Sequence, residues 1–299
     1  MWIIYSLASA LFAGVMSILA KVGIKNTDST LATALRTIVV VVFAWLMVFM
    51  AGSQAAIANL DSKSIIFLIL SGLATGGSWL CYFRALQLGD VNKVVPIDKS
   101  STVLTMLLSA LLLGEKLTWL KALAMLLIGA GTYLMLERKA EIQGNAAGYN
   151  QVTDAPQPKH YKWLVYALLS AVFASLTAIL GKIGIVGVES NLGTAIRTVV
   201  VLLMAWLIVF WQGKQSGIKH IDKRSWIFIG LSGLATGLSW LYFYRALQEG
   251  PASVVVPIDK LSLLVTVSFG YFVLQEKLSK QGLLGLAIIV TGTLCLLIK

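Results

Sequence analysis

Apolar residues run along this chain in blocks of about 20, parted by short polar connections, and that length matches a hydrocarbon core of roughly 30 Å. Ten blocks are predicted as membrane-spanning helices, at about 2–23, 30–50, 64–86, 92–113 and 119–136, and again at 163–184, 191–211, 225–247, 252–274 and 282–298. The first block lacks a basic leader and has an equivalent opening the second half, so it is expected to remain as a helix. Residues 139–162 break the rhythm. They are polar, contain Gly144, Gly148, Pro156 and Pro158, and carry no hydrophobic period, which predicts a flexible linker.

The two sets of five blocks are copies of each other. Lys21 matches Lys182, Arg36 matches Arg197, Trp79 matches Trp240, Asp98 matches Asp259 and Glu115 matches Glu276, each pair 161 residues apart (197 − 36, 259 − 98) and without a gap. Residues 1–138 and 163–299 are therefore two five-helix repeats flanking the linker. Because each repeat has an odd number of spans, the second must enter the membrane from the opposite side. An all-α membrane protein of two inverted five-helix repeats follows, with a substrate site near the midplane where the repeats meet.

Composition agrees. The 299 residues are 58% hydrophobic and 12% charged, with a mean hydropathy of +0.85. The net charge of +11 lies scattered at the ends of apolar blocks, where topology signals and contacts with anionic headgroups belong, so no nucleic-acid partner is expected. Cys81 and Cys295 fall inside apolar blocks and His160 and His220 in connections, which argues against a disulfide framework and a metal site. No phosphate-binding loop and no catalytic cluster is present in the sequence, so neither an enzyme nor an ATP-driven pump is expected.

What remains is a small set of polar groups in membrane-grade sequence. A charge at the bilayer centre costs from about 2.5 to more than 10 kcal/mol, so such groups face protein or water. Asp98–Lys99 follow Pro96, and Asp259–Lys260 follow Pro257. A proline removes a backbone donor and disfavours helix for its predecessor, so Pro96 and Pro257 are expected as hinges where the helix breaks at the cavity. The Asp-Lys pairs read either as a proton-binding carboxylate beside a substrate-anchoring cation or as an ion-pair network, for example Asp98 with Arg36 or Lys21. Arg36 and Arg197 lie too deep to snorkel comfortably and are expected to meet a carboxylate or the cavity. Trp79 and Trp240 wall the cavity or join an interfacial belt. Gly72, Gly76, Gly233 and Gly237 are expected chiefly to let helices approach closely, and Glu115 and Glu276 to be structural.

These residues carry a resemblance. Ala-Leu-Arg36-Thr with Ala-Ile-Arg197-Thr, the repeated Arg-Ala-Leu-Gln-x-Gly segment, and Leu113-Gly-Glu115-Lys-Leu resemble the drug/metabolite transporter superfamily, in proteins with two EamA-type domains. The second copy departs from that last motif, with Gln275 where Gly114 stands. The resemblance implies secondary transport of small metabolites by alternating access without a bound cofactor, and it leaves the substrate open. The Pro-Ile-Asp-Lys sequence is not part of it.

The expected function is thus secondary active transport of a small polar metabolite in a prokaryotic inner membrane, coupled to protons or to exchange. Embedded Lys and Arg outnumber Asp, which favours an anionic or zwitterionic solute; export of cationic, drug-like compounds is the alternative, and a membrane-embedded enzyme or lipid-handling protein the alternative of another class. A monomer is expected, with a dimer as the other arrangement. The basic residues Arg138, Lys139, Lys159, Lys162, Lys214, Lys219, Lys223 and Arg224 gather on the linker face and would place it in the cytoplasm, whereas the resemblance implies cytoplasmic termini. The two expectations oppose each other.

Overall fold

A computed structural model of the chain describes residues 1–23, 27–88, 97–98, 100–134, 162–272 and 279–298. The described residues form α1 (Trp2–Gly23), α2 (Ser29–Met50), α3 (Ser62–Leu88), α4 (Ser101–Leu112), α5 (Trp119–Leu134), α6 (Lys162–Gly184), α7 (Ser190–Trp211), α8 (Lys223–Glu249), α9 (Ala252–Asp259), α10 (Ser262–Phe272) and α11 (Lys280–Cys295). Six single helices, together with the α9–α10 stretch, are long and apolar enough to cross a bilayer; α4, α5 and α11 are shorter apolar helices that complete ten crossings. Their outer faces present many apolar side chains, such as Val42, Leu111, Leu126, Leu203 and Leu207, as a lipid surround allows. Residues 24–26, 89–96, Lys99, 135–161, 273–278 and Lys299 lie outside the described residues.

Polar groups set the helix starts. Asp28 accepts from the backbone N–H of Thr30 (3.0 Å) and Leu31 (3.1 Å) at the head of α2. Its counterpart Glu189 does the same for Asn191 (3.0 Å) and Leu192 (2.9 Å) at α7, and Asp222 accepts from the Ser225 amide (3.2 Å) at α8. Each satisfies donors that a helix N-terminus leaves unpaired. After α2 and α7 the chain reverses at Gly52 and Gly213, both with φ near +65°, where a side chain would be strained. Two short 3-10 helices follow, Ser53–Asn59 and Lys214–His220, which the hydrophobic pattern does not foresee. They tie one repeat to the other: Ser53 Oγ donates to Glu189 (3.0 Å) and Lys214 Nζ to Asp28 (2.7 Å).

The repeats interleave. α1 lies along α8, α3 along α6, α2 along α7 and α5 along α11, so the most extensive packing joins the first half to the second. The pairs α1–α8 and α3–α6 run antiparallel, with Gly23 against Ile229 and Gly184 against Leu68 at symmetric ends. Close approach depends on glycine here, as expected. A Cβ at Gly72 would sit 2.7 Å from Val200 Cβ, and one at Gly233 2.6 Å from Val39 Cβ. The two contacts are counterparts, and both wedge the third helix of one repeat against the second helix of the other.

The ninth span is broken, but not where the proline suggests. α9 continues through Pro257 and ends at Asp259. Its end tightens to shorter turns, Lys260 N–H donating to Pro257 (3.1 Å) and Leu261 N–H to Ile258 (3.0 Å), before α10 begins at Ser262. The break expected at Pro257 therefore falls at Lys260–Leu261. Pro257 takes away the donor for the Ser253 carbonyl, which weakens the helix without ending it. Pro96 lies outside the described residues.

A cavity between the repeats

At mid-depth the interleaved helices leave a cavity of about 340 Å³. Its walls come from both repeats: Thr75 and Trp79 of α3, Arg197 of α7, Trp240 and Tyr244 of α8, and Asp259 and Lys260 at the helix break. Trp79 and Trp240 are thus cavity residues rather than members of an interfacial belt. Asp98 and Arg36 do not line it, and Lys99 lies outside the described residues.

Both aspartates are held in the same way. Ser170 Oγ donates to Asp98 Oδ1 at 2.7 Å, and Ser9 Oγ donates to Asp259 Oδ1 at 2.5 Å. Each serine also belongs to a reciprocal pair across the helix contact. Ser78 Oγ donates to the Ser170 carbonyl (3.2 Å), and Ser239 Oγ to the Ser9 carbonyl (3.2 Å). Small hydroxyls let α1–α8 and α3–α6 pack closely while bringing a donor to each carboxylate. The Asp98–Arg36 ion pair weighed on sequence is not formed; Asp98 meets Ser170, and the Arg36 guanidinium donates to Met16 Sδ at 3.2 Å.

Arg197 is 2% exposed and meets no carboxylate among the described residues. Its Nε donates to Ser71 Oγ (3.0 Å) and its Nη2 to Thr75 Oγ1 (2.6 Å). The guanidinium lies over the rings of Trp240 (4.8 Å) and Tyr244 (4.6 Å). Hydroxyls and two aromatic faces replace an anion as its surroundings, and Nη1 has no protein partner among the described residues.

The face carrying the termini is closed by packing. Tyr244, Leu247, Ala252 and Val255 form a buried cluster there, with Trp2 and Tyr5 against it. Lys182 Nζ donates to the carbonyls of Leu247 (2.8 Å) and Gly250 at the end of α8. Glu115 accepts from the amides of Ala252 (2.6 Å) and Ser253 (3.1 Å) and from the Ser253 hydroxyl, capping α9. The Leu-Gly-Glu motif is explained: Gly114, at φ +67°, turns the chain so that Glu115 reaches the other repeat. Glu276 lies outside the described residues.

Sequence reasoning missed Ser9, Ser170, Ser78, Ser239, Tyr244, Ser71 and Thr75 as members of the site. The signal was present for the serines, since Ser9 and Ser170, like Ser78 and Ser239, are identical 161 residues apart. Serine in an apolar helix is ordinarily silent because it can bond its own i−4 carbonyl, as Ser6 does to Trp2.

A polar cavity at mid-depth between inverted repeats of a multi-pass helical membrane protein defines a membrane transporter. The chain belongs to the EamA-like transporter family, whose model matches residues 1–137 and 161–298, and so to the drug/metabolite transporter type. It is 46% identical over 134 residues to an uncharacterised transporter in the cobO 3' region of a Sinorhizobium species, covering 45% of this chain and 95% of that protein. It is 27% identical over 136 residues to an uncharacterised protein of Methanocaldococcus jannaschii, covering 46% and 96%. A probable 4-amino-4-deoxy-L-arabinose-phosphoundecaprenol flippase subunit of Hamiltonella defensa is 28% identical over 85 residues, covering 28% and 77%. The first two relatives are thus about one repeat long. A crystal structure superposes with a TM-score of 0.73 over 99% of this chain and 96% of that one, at 17% identity, which shows the shared fold.

Proposed function

We propose that the protein is a secondary active transporter that moves a small polar metabolite by alternating access, binding it in the cavity between the repeats, in the inner membrane of a prokaryote. The observation that carries this reading is the set of groups on the cavity wall. Asp259, Lys260, Arg197, Trp79 and Trp240 converge on one space of about 340 Å³, the size of a small-molecule site. Two cations face one carboxylate there, which favours an anionic or zwitterionic solute over a cationic one.

Asp259, hydrogen-bonded to Ser9 and set at a helix break beside Lys260, is the proposed proton site, with Asp98 its counterpart in the other repeat. The carboxylate takes a proton or releases it as the cavity changes sides, or the cycle runs as obligatory exchange. No bound cofactor enters this account. The test is a thermal-shift screen of metabolites against the purified protein, followed by counterflow of the stabilising solute in proteoliposomes. Stabilisation and counterflow by carboxylate-bearing solutes support the reading. Stabilisation by organic cations alone replaces it with cation export, and stabilisation by a lipid-linked compound without solute flux replaces it with lipid handling.

A further inference from the structure

The two buried arginines are counterparts in sequence, yet they are bonded differently. Arg197 donates to Ser71 and Thr75 of the opposite repeat at 3.0 and 2.6 Å. For Arg36 the matching hydroxyls are Ser232 and Thr236 (71 + 161, 75 + 161). Both are present and buried, at 1% and 3% exposure, so availability is not the difference. The hydroxyls make the same backbone bonds in both halves, Thr236 and Thr75 to the Ser232 and Ser71 carbonyls (2.6 and 3.0 Å), and Ser232 and Ser71 to the Met16 and Thr177 carbonyls (3.4 and 2.7 Å); only the arginine differs, Arg36 donating to Met16 Sδ. Both guanidinium groups are inside the protein, Arg197 the more completely at 2% exposure. Among the described residues, one set of arginine-to-hydroxyl bonds between the repeats is made and its twin is not.

The difference follows the depth of the two sites. Arg197 lies seven residues into α7, towards the termini face, where the Tyr244 cluster and the Glu115 and Lys182 contacts close the cavity. Arg36 lies seven residues into α2, towards the linker face. We infer that Arg197 with Ser71–Thr75 and Arg36 with Ser232–Thr236 form an alternating latch, of which the structure holds the termini-face half closed. This rests on the alternating-access reading. In the opposite state the repeats exchange conformations: Arg197 leaves Ser71 and Thr75, and Arg36 takes Ser232 and Thr236. Neither arginine then needs a carboxylate partner, because each spends half the cycle on neutral hydroxyls that a modest rearrangement can release. The arginines act here as positioning residues, setting which face is open.

The test uses the full chain with Cys81 and Cys295 replaced and Ser262→Cys as a reporter on the cavity wall. A membrane-impermeant maleimide is applied to each face of oriented proteoliposomes. Losing hydrogen bonds to a charged group should move a two-state balance by about tenfold or more. Ser71→Ala/Thr75→Ala should therefore raise labelling from the termini face about tenfold, and Ser232→Ala/Thr236→Ala should lower it and raise labelling from the linker face. Thr75→Val and Thr236→Val repeat the comparison with the side-chain volume kept, and thermal unfolding shows that each variant is folded. Labelling from both faces that the two pairs leave unchanged, or move in the same direction, overturns the latch alone. Labelling from one face only in every variant overturns alternating access, and the latch with it.

Discussion

Ser9 donates a hydrogen bond to Asp259 across 2.5 Å, and the bond joins the first helix of one repeat to the broken helix of the other. Ser170 and Asp98 repeat it at 2.7 Å. A carboxylate taken from water is costly unless it is hydrogen-bonded, and in both repeats the donor comes from the opposite half. The hydrogen bond of each aspartate is thereby tied to how the halves sit against each other, which is the link the proposed coupling would use.

Asp259→Asn and Asp98→Asn are accordingly expected to abolish proton-driven accumulation while leaving solute exchange measurable. Accumulation against a pH gradient in proteoliposomes, compared with counterflow at equal pH, separates the two. Undiminished accumulation in the double variant refutes the coupling role.

Glu115→Ala removes three hydrogen bonds at the head of α9. Loss of such a cap is expected to cost about 1–2 kcal/mol, lowering the unfolding midpoint in detergent by a few degrees. Glu115→Gln should retain part of the effect, because its amide oxygen can still accept.

Gly72→Ala and Gly233→Ala each place a methyl less than 3 Å from a valine Cβ of the other repeat. Overpacking of that kind costs about 1–3 kcal/mol. Each variant should unfold earlier than the parent, and the two costs should be similar if the repeats pack equivalently. By contrast, Gly230→Ala meets nothing within 4 Å and should leave the midpoint within error.

The Asp28–Lys214 contact predicts an acid limb of stability. Partial burial pushes the Asp28 carboxyl up, but the Lys214 ammonium and the amides of Leu31 and Thr30 outweigh it and hold the group below its ordinary range. The stabilisation is therefore complete above the unfolded carboxylate value of about 3.9 and is lost as pH falls through the lower folded value. Both partners are more than a third exposed on their side chains, so the pair itself contributes less than about 1 kcal/mol. Asp28→Asn should lower the unfolding midpoint at neutral pH by no more than a few degrees, and the gap to the parent should close in strong acid.

Much of the architecture was legible from the sequence. The repeat at 161 residues announced inversion, and α1 begins and ends as the apolar block does. The 3-10 helices escaped because a seven-residue element such as Ser53–Asn59 shows no period that a window can resolve. The helix break was displaced from Pro257 to Lys260 because a single missing donor does not decide where an eight-residue helix ends. At the site, charge pointed to Asp259, Lys260 and Arg197 because a charge in lipid is expensive wherever it sits. Arg36 carries the same charge in the same sequence context yet lies off the cavity wall. The asymmetry is partly written in the sequence, since Arg36 meets Met16 where the other repeat has Thr177, and Arg197 meets Tyr244 where the other repeat has Phe83.

Counterflow of the solute identified by thermal shift, in proteoliposomes holding the Ser262→Cys protein free of other cysteines, tests transport through this cavity most directly. Alkylating the cavity cysteine should abolish counterflow, and excess solute should slow the alkylation. Full counterflow after stoichiometric alkylation would contradict the account.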